Sequence, residues 1–190
     1  FDFGLSEIID IQFNDKTCWI LYRDGQEKGL MKFIYDNEWE YRDSFGNYPI
    51  LSGEINCFTV DDSLVYLGMT NGLFSGKITD NLKDPNSWSI ETNGVSDEVT
   101  SMQLEDEQLH FTTNKKVFNY NLLTKILNED VFEYSLEMVD QILISPVGKW
   151  IKDQNKLYLI TESNDYLITD RYNLSSFVFK SGQLLAGSSN

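Results

Sequence analysis

Basic residues are scarce in this 190-residue chain: 15 Lys and Arg stand against 30 Asp and Glu, a formal net charge of −15 at pH 7. Nucleic acid is held by clustered cations, as are anionic membrane faces, so this deficit argues against both, and no nucleic-acid partner is expected. Cysteine is nearly absent. Cys18 and Cys57 are too few for a disulfide-stapled mini-domain and show no Cys-x-x-Cys spacing for a metal or a redox pair. Proline occurs three times and no Ser/Gly-rich tract interrupts the chain, so nothing reads as an interdomain linker. Long apolar runs are missing too. The richest, Lys156-Leu157-Tyr158-Leu159-Ile160-Thr161, is strand-length, far below the roughly 18 residues of a membrane-spanning helix, and membrane insertion is not expected. The chain opens at Phe1-Asp2-Phe3-Gly4 without a basic-then-apolar leader, so any signal peptide is expected to be gone already or to lie outside this segment.

What is present is core-forming material: 41% hydrophobic and 14% aromatic residues, enough for a packed interior and too much for a disordered chain. It is arranged in repeats. Glu7-Ile8-Ile9-Asp10-Ile11-Gln12-Phe13-Asn14-Asp15, Glu54-Ile55-Asn56-Cys57-Phe58-Thr59-Val60-Asp61-Asp62 and Glu98-Val99-Thr100-Ser101-Met102-Gln103-Leu104-Glu105-Asp106 share one pattern. Each runs Glu, aliphatic, a variable pair, apolar, polar, apolar and a closing acidic turn, at offsets of 47 and 44 residues. The match continues through Thr17–Leu21, Leu64–Gly68 and Gln108–Thr112, then through Gly29-Leu30-Met31, Gly72-Leu73-Phe74 and Lys116-Val117-Phe118. A fourth stretch centres on an aromatic: Trp39–Arg42, Trp88–Glu91 and Phe132-Glu133-Tyr134. A fourth copy follows at Lys149–Lys152, Leu157–Thr161 and Asn164–Leu167, with no clear fourth strand, and a fifth begins at Ser176–Phe179 and Leu184–Asn190.

Each copy reads as four short β-strands joined by tight turns. Asn71-Gly72 predicts a type I′ hairpin. Strict alternation in the first strand of copy two would point Ile55, Cys57 and Thr59 one way and Asn56, Phe58 and Val60 the other. Leu64–Leu67 is apolar on both faces, as a sheet covered on both sides requires. Four strands in about 45 residues is the period of a propeller blade. The expected fold is therefore all-β: a β-propeller of four blades plus part of a fifth, as a segment of a larger ring. The blades are expected near residues 6–50, 51–95, 96–145 and 146–173, with a partial one at 174–190. The half-copy at the end leaves an open edge, expected to meet the remainder of a longer chain or another copy.

Val65-Tyr66-Leu67-Gly68-Met69-Thr70-Asn71-Gly72-Leu73-Phe74 resembles the two-component regulator propeller repeat of bacterial proteins, with weaker matches at Leu184–Asn190 and Leu109–Phe118. Copy three departs from that pattern, with Lys115-Lys116 where the Asn-Gly turn would stand. The resemblance implies a recognition scaffold in an exported sensor ectodomain or a surface or secretion-associated protein, periplasmic or extracellular.

Candidate chemistry is thin. His110, the single histidine, lies mid-strand between Leu109 and Phe111 and reads as structural. The acidic turns Asn14-Asp15, Asp61-Asp62 and Glu105-Asp106 lack the Asp-x-Asp-x-Asp-Gly spacing of a calcium loop and read as turn formers. Thr79–Trp88 partly matches the Asp-box of sialidase-like propellers without its Gly and Thr. Only Arg23, Arg42 and Arg171 are available to hold a substrate carboxylate, and they are scattered. Trp39, Tyr41, Tyr48 and Trp88 are candidates for an exposed platform, against packing between sheets. The expectation is a non-catalytic module that binds protein or carbohydrate, without cofactor, metal or catalytic residues. The alternative is the propeller of a carbohydrate-active enzyme, a glycosidase or a polysaccharide lyase.

Overall fold

Strand follows strand with little between them. The computed structural model describes residues 7–46, 53–91, 95–170 and 174–188, with Ser188 described in its backbone only. Tyr48 and Arg171 lie outside the described residues. Residues 1–96 and 97–190 make two compact units.

The first unit holds two four-stranded antiparallel meanders. Sheet one is β1 (Glu7–Asn14), β2 (Thr17–Asp24), β3 (Glu27–Asp36) and β4 (Glu38–Gly46). Sheet two is β5 (Ile55–Val60), β6 (Leu64–Met69), β7 (Gly72–Lys77) and β8 (Trp88–Ile90). The second unit holds two more sheets and a hairpin. Sheet three is β9 (Val99–Glu105), β10 (Gln108–Thr113), β11 (Val117–Asn121) and β12 (Leu127–Glu129). Sheet four is β13 (Val139–Ser145), β14 (Gly148–Asp153), β15 (Lys156–Ile160) and β16 (Asp165–Thr169). The hairpin pairs β17 (Leu174–Lys180) with β18 (Gln183–Ser188).

A β-bulge recurs at one place in all five copies. The extra residue follows the first aliphatic of each leading strand: Ile9 after Ile8, Asn56 after Ile55, Thr100 after Val99, Asp140 after Val139 and Ser175 after Leu174. A bulge places two residues opposite one and shifts the alternation of faces by one. Ile55 therefore faces the same core as Phe58 and Val60, where strict alternation would have put it on the opposite face. The variable pair of the repeat is where the bulge sits.

The sheets pack face to face within each unit. Trp19, Leu21, Leu30 and Phe45 of sheet one meet Ile55, Phe58, Val65, Leu67 and Met69 of sheet two in one core. Sheet three meets sheet four through Val117, Val139, Ile142, Ile151 and Tyr158, and sheet four meets the hairpin through Trp150, Leu157 and Phe177. Burying each such side chain contributes about 1.5–3 kcal/mol relative to leaving it in water. Strand β6 is buried on both faces from Val65 to Met69, as its apolar run requires.

Side chains of the leading strands also bond across sheets. Gln12 Nε2 donates to Phe58 O at 2.7 Å. Gln103 Oε1 accepts from Ile144 N at 2.7 Å, and Gln141 accepts from Phe177 N and donates to Phe177 O. Asp153, buried at the end of β14, accepts backbone N–H bonds from Glu137 and Met138 and so holds the entry into β13.

Four expectations are corrected. Copy four starts earlier than residue 146, because β13 begins at Val139. That strand has the aliphatic spacing but neither the leading Glu nor the acidic turn, since Met138 and Ser145-Pro146 stand there. The outer strand of copy three is Leu127–Glu129 and not Phe132–Tyr134. Asn121 Oδ1 accepts from Leu123 N and Thr124 N, folding the chain back sooner. Copy four does have its fourth strand, β16, paired to β15. The Asn71-Gly72 turn is not type I′: Met69 pairs with Gly72, leaving Thr70-Asn71 as the turn, and the positive φ (+127°) falls on Gly72 alone.

Candidate functional site

The loops at one end of sheet four, with the segment that follows β12, enclose a groove of about 800 Å³. Its walls are Asp130–Glu133, the β13–β14 turn from Ser145 to Lys149, and the β15–β16 turn from Ile160 to Asp165. Rigid strands set each wall. Ser145 Oγ donates to Gly148 O at 3.0 Å and accepts from the indole of Trp150 at 3.0 Å, so the first turn is locked to its own sheet. Gly148 sits at φ +141°, and a Cβ there would collide with Ile160 O, which is why this wall needs glycine. Thr161 Oγ1 donates to Asn164 O at 2.9 Å and closes the second turn. Asp165 Oδ2 accepts from Glu133 N at 2.9 Å and ties the β15–β16 turn to the Asp130–Glu133 wall.

The groove is mixed in character. Four carboxylates, Asp130, Glu133, Glu162 and Asp165, line it beside Val131, Phe132, Pro146, Val147 and Ile160. Its one ammonium group, Lys149, is paired with Asp130. His110 on β10 is buried near that pair, and its Nδ1 has no hydrogen-bond partner among the described residues. Burial pushes the imidazole pKa down to about 4, the Lys149 charge adds to the depression, and Asp130 opposes it. The imidazole is therefore uncharged at neutral pH.

The remaining candidates are dispersed. Cys18 and Cys57 lie in different sheets and are not joined in a disulfide, and burial raises both pKa values. Arg23 pairs with Glu7 and Arg42 with Glu40, both at 3.0 Å and both within sheet one. Asp15 and Asp106 adopt positive φ inside two-residue turns. Asp61 Oδ1 accepts from Ser63 N and Leu64 N at 2.6 Å each, which is turn chemistry. In Thr79–Trp88, Asp84 caps a single 3-10 turn at Pro85–Ser87, and the buried Trp88 donates its indole N–H to Leu82 O at 3.0 Å. Tyr41 packs edge-on to Phe33 inside sheet one. Among the described aromatic candidates Trp39 alone is exposed, with Phe13 and Tyr35 beside it at 5.8 and 5.3 Å between ring centroids. The groove had no signature in the sequence, because its walls are turns from three places that only sheet pairing brings together.

No family model matches the sequence, and no curated protein matches it. Solved structures match the fold along nearly its whole length. One is the extracellular domain of the putative hybrid two component system BT4673 from B. thetaiotaomicron (TM-score 0.69, 15% identity, 99% of this chain and 26% of that one). A second is PorZ, an essential bacterial surface component of the type-IX secretion system of Porphyromonas gingivalis (0.61, 15%, 100% and 27%). A third is the computationally designed Ika8 protein (0.64, 15%, 96% and 56%).

The fold is a β-propeller. The chain spans about a quarter of the two bacterial proteins and a little over half of the designed one. The likeness in fold to the two bacterial structures extends across all the sheets, the one that holds Val65–Phe74 included. No helix among the described residues is long and apolar enough to cross a membrane.

Proposed function

We propose that this propeller segment is a recognition module of a larger exported bacterial protein, a sensor ectodomain or a surface or secretion component. It binds protein or carbohydrate and carries out no chemistry of its own. The groove on sheet four carries this reading. Its volume of about 800 Å³ lies within the range of about 300–1,000 Å³ typical of ligand sites, and its walls combine apolar and hydrogen-bonding groups. Fold likeness to an extracellular sensor domain and to a secretion-system surface component supports the setting. Titrating the protein with soluble oligosaccharides and short peptides by calorimetry tests it. A ligand whose affinity falls at least tenfold in Glu133→Ala or Glu162→Ala supports the reading; binding indifferent to both variants overturns it.

One observation favours the second reading, a propeller of a carbohydrate-active enzyme: four carboxylates share the groove. Glycosidases work with a pair of carboxyl groups flanking the scissile bond. Against it, Asp130 is engaged by Lys149, and Asp165 by the backbone of Glu133. Release of chromophore from aryl glycosides, abolished by Glu133→Gln or Glu162→Gln, would make this the better reading.

A further inference from the structure

The groove at the end of sheet four is lopsided in charge. Among the described residues, four carboxylates line it against the one ammonium of Lys149, which Asp130 already holds. Asp165 commits one oxygen to Glu133 N. The carboxylates of Glu133 and Glu162 stand exposed, with no hydrogen bond or ion pair among the described residues. They belong to different walls, Glu133 to the segment after β12 and Glu162 to the β15–β16 turn. They are not gathered for a metal: among the described residues no group of three or more His, Cys, Asp or Glu is placed to hold one. The charge is spread, and a ligand that answers it must carry its own cations apart from one another.

The apolar lining divides in two. Phe132, the one aromatic lining the groove among the described residues, packs with Ile160 on the core between sheets three and four. That ring is drawn into packing and makes a poor platform for a sugar. Val131 and Val147, in contrast, are 91% and 52% exposed and present bare aliphatic surface in the same groove. A neutral ligand covering these walls would desolvate both carboxylates without a counter-charge. An anionic one would be repelled by the groove and by a chain of net charge −15.

We infer that the groove takes a basic, aliphatic peptide segment of a partner protein. Its Arg or Lys side chains pair with Glu133 and Glu162, and an aliphatic side chain seats on Val131 and Val147. Complementary charge steers and selects the segment, while the apolar contact excludes water. The inference deepens the recognition role proposed for the groove and rests on it.

Fluorescence anisotropy of the 190-residue chain with a labelled hexapeptide of alternating arginine and leucine tests this. Three further peptides replace arginine by glutamate, arginine by glutamine, or leucine by glycine. The arginine–leucine peptide is expected to bind at least tenfold more tightly than each of the three, and less tightly as NaCl rises from about 0.05 to about 0.5 M. Glu133→Gln and Glu162→Gln, both at exposed sites, each weaken it about tenfold, because a pair enclosed by walls is screened less than one on an open surface. Glu38→Gln, an equal change in net charge at an exposed residue of sheet one, leaves it unchanged. No binding of the arginine–leucine peptide, equal binding of the glycine version, or equal loss in Glu38→Gln would each overturn the inference. An oligosaccharide that binds instead, and loses affinity in Glu133→Gln or Glu162→Gln, would overturn the peptide and leave the recognition role standing. Peptide binding indifferent to both groove variants would overturn the two together.

Discussion

The side-chain amide of Gln141 closes both backbone groups of Phe177, accepting from its N–H at 3.2 Å and donating to its carbonyl at 2.9 Å. Residues 36 apart in the chain are joined as if the glutamine were an extra rung of β-sheet. A net hydrogen bond contributes about 0.5–1.5 kcal/mol, and an orphaned buried partner costs more. Gln141→Ala is therefore expected to destabilise the second unit by about 1–3 kcal/mol, read from the urea midpoint. The Phe177 amide should lose hydrogen-exchange protection more than the amides of β14.

Asp153 makes a similar joint within its own sheet, with three carboxylate contacts to the N–H groups of Glu137 and Met138. Bonds to a charged acceptor contribute about 1.5–3 kcal/mol each. Asp153→Ala should cost about 3 kcal/mol and lower the thermal midpoint. Asp153→Asn, which keeps one acceptor oxygen, should cost less; equal losses in the two variants would refute the capping role.

His110 predicts a pH dependence. Its folded pKa of about 4 lies below the unfolded value near 6.5, so the unfolded chain binds more protons between those values. The stabilising contribution is complete above about pH 6.5 and is lost as pH falls toward 4, on the order of 3 kcal/mol over the window. Urea unfolding from pH 7 to 4.5 should show a shallower decline in His110→Gln than in the parent. Identical slopes would show that the imidazole is not the group responsible.

Glycines separate by geometry. Gly148→Ala places a methyl group against Ile160 O at a φ of +141° and should destabilise by at least about 2 kcal/mol. Gly25, at φ +60° where an added Cβ would meet nothing within 4 Å, should lose only about 1 kcal/mol on the same change. Thermal midpoints of the two variants, measured side by side, check the contrast.

The strands were legible in the sequence because each is a short apolar run that ends at a turn former. Leu64–Met69, apolar on both faces, already implied a sheet covered on both sides. What the residues could not disclose was the bulge, because Ile9, Asn56, Thr100, Asp140 and Ser175 share no chemistry, only a position. Copy four was misplaced for the same reason: Val139 carries its role through register, while the Glu and Asp used to find the other copies are absent. The groove was unreadable because Asp130, Gly148 and Asp165 are made neighbours by pairing between strands.

The recurring bulge has a consequence for how such a chain tolerates change. Every leading strand resets its own alternation with its own extra residue, so each copy decides for itself which side chains point inward. A slip or a gained residue between copies would stop at the next reset instead of turning all later strands inside out. Evolution could thus lengthen, shorten or duplicate the joints while leaving every fan intact.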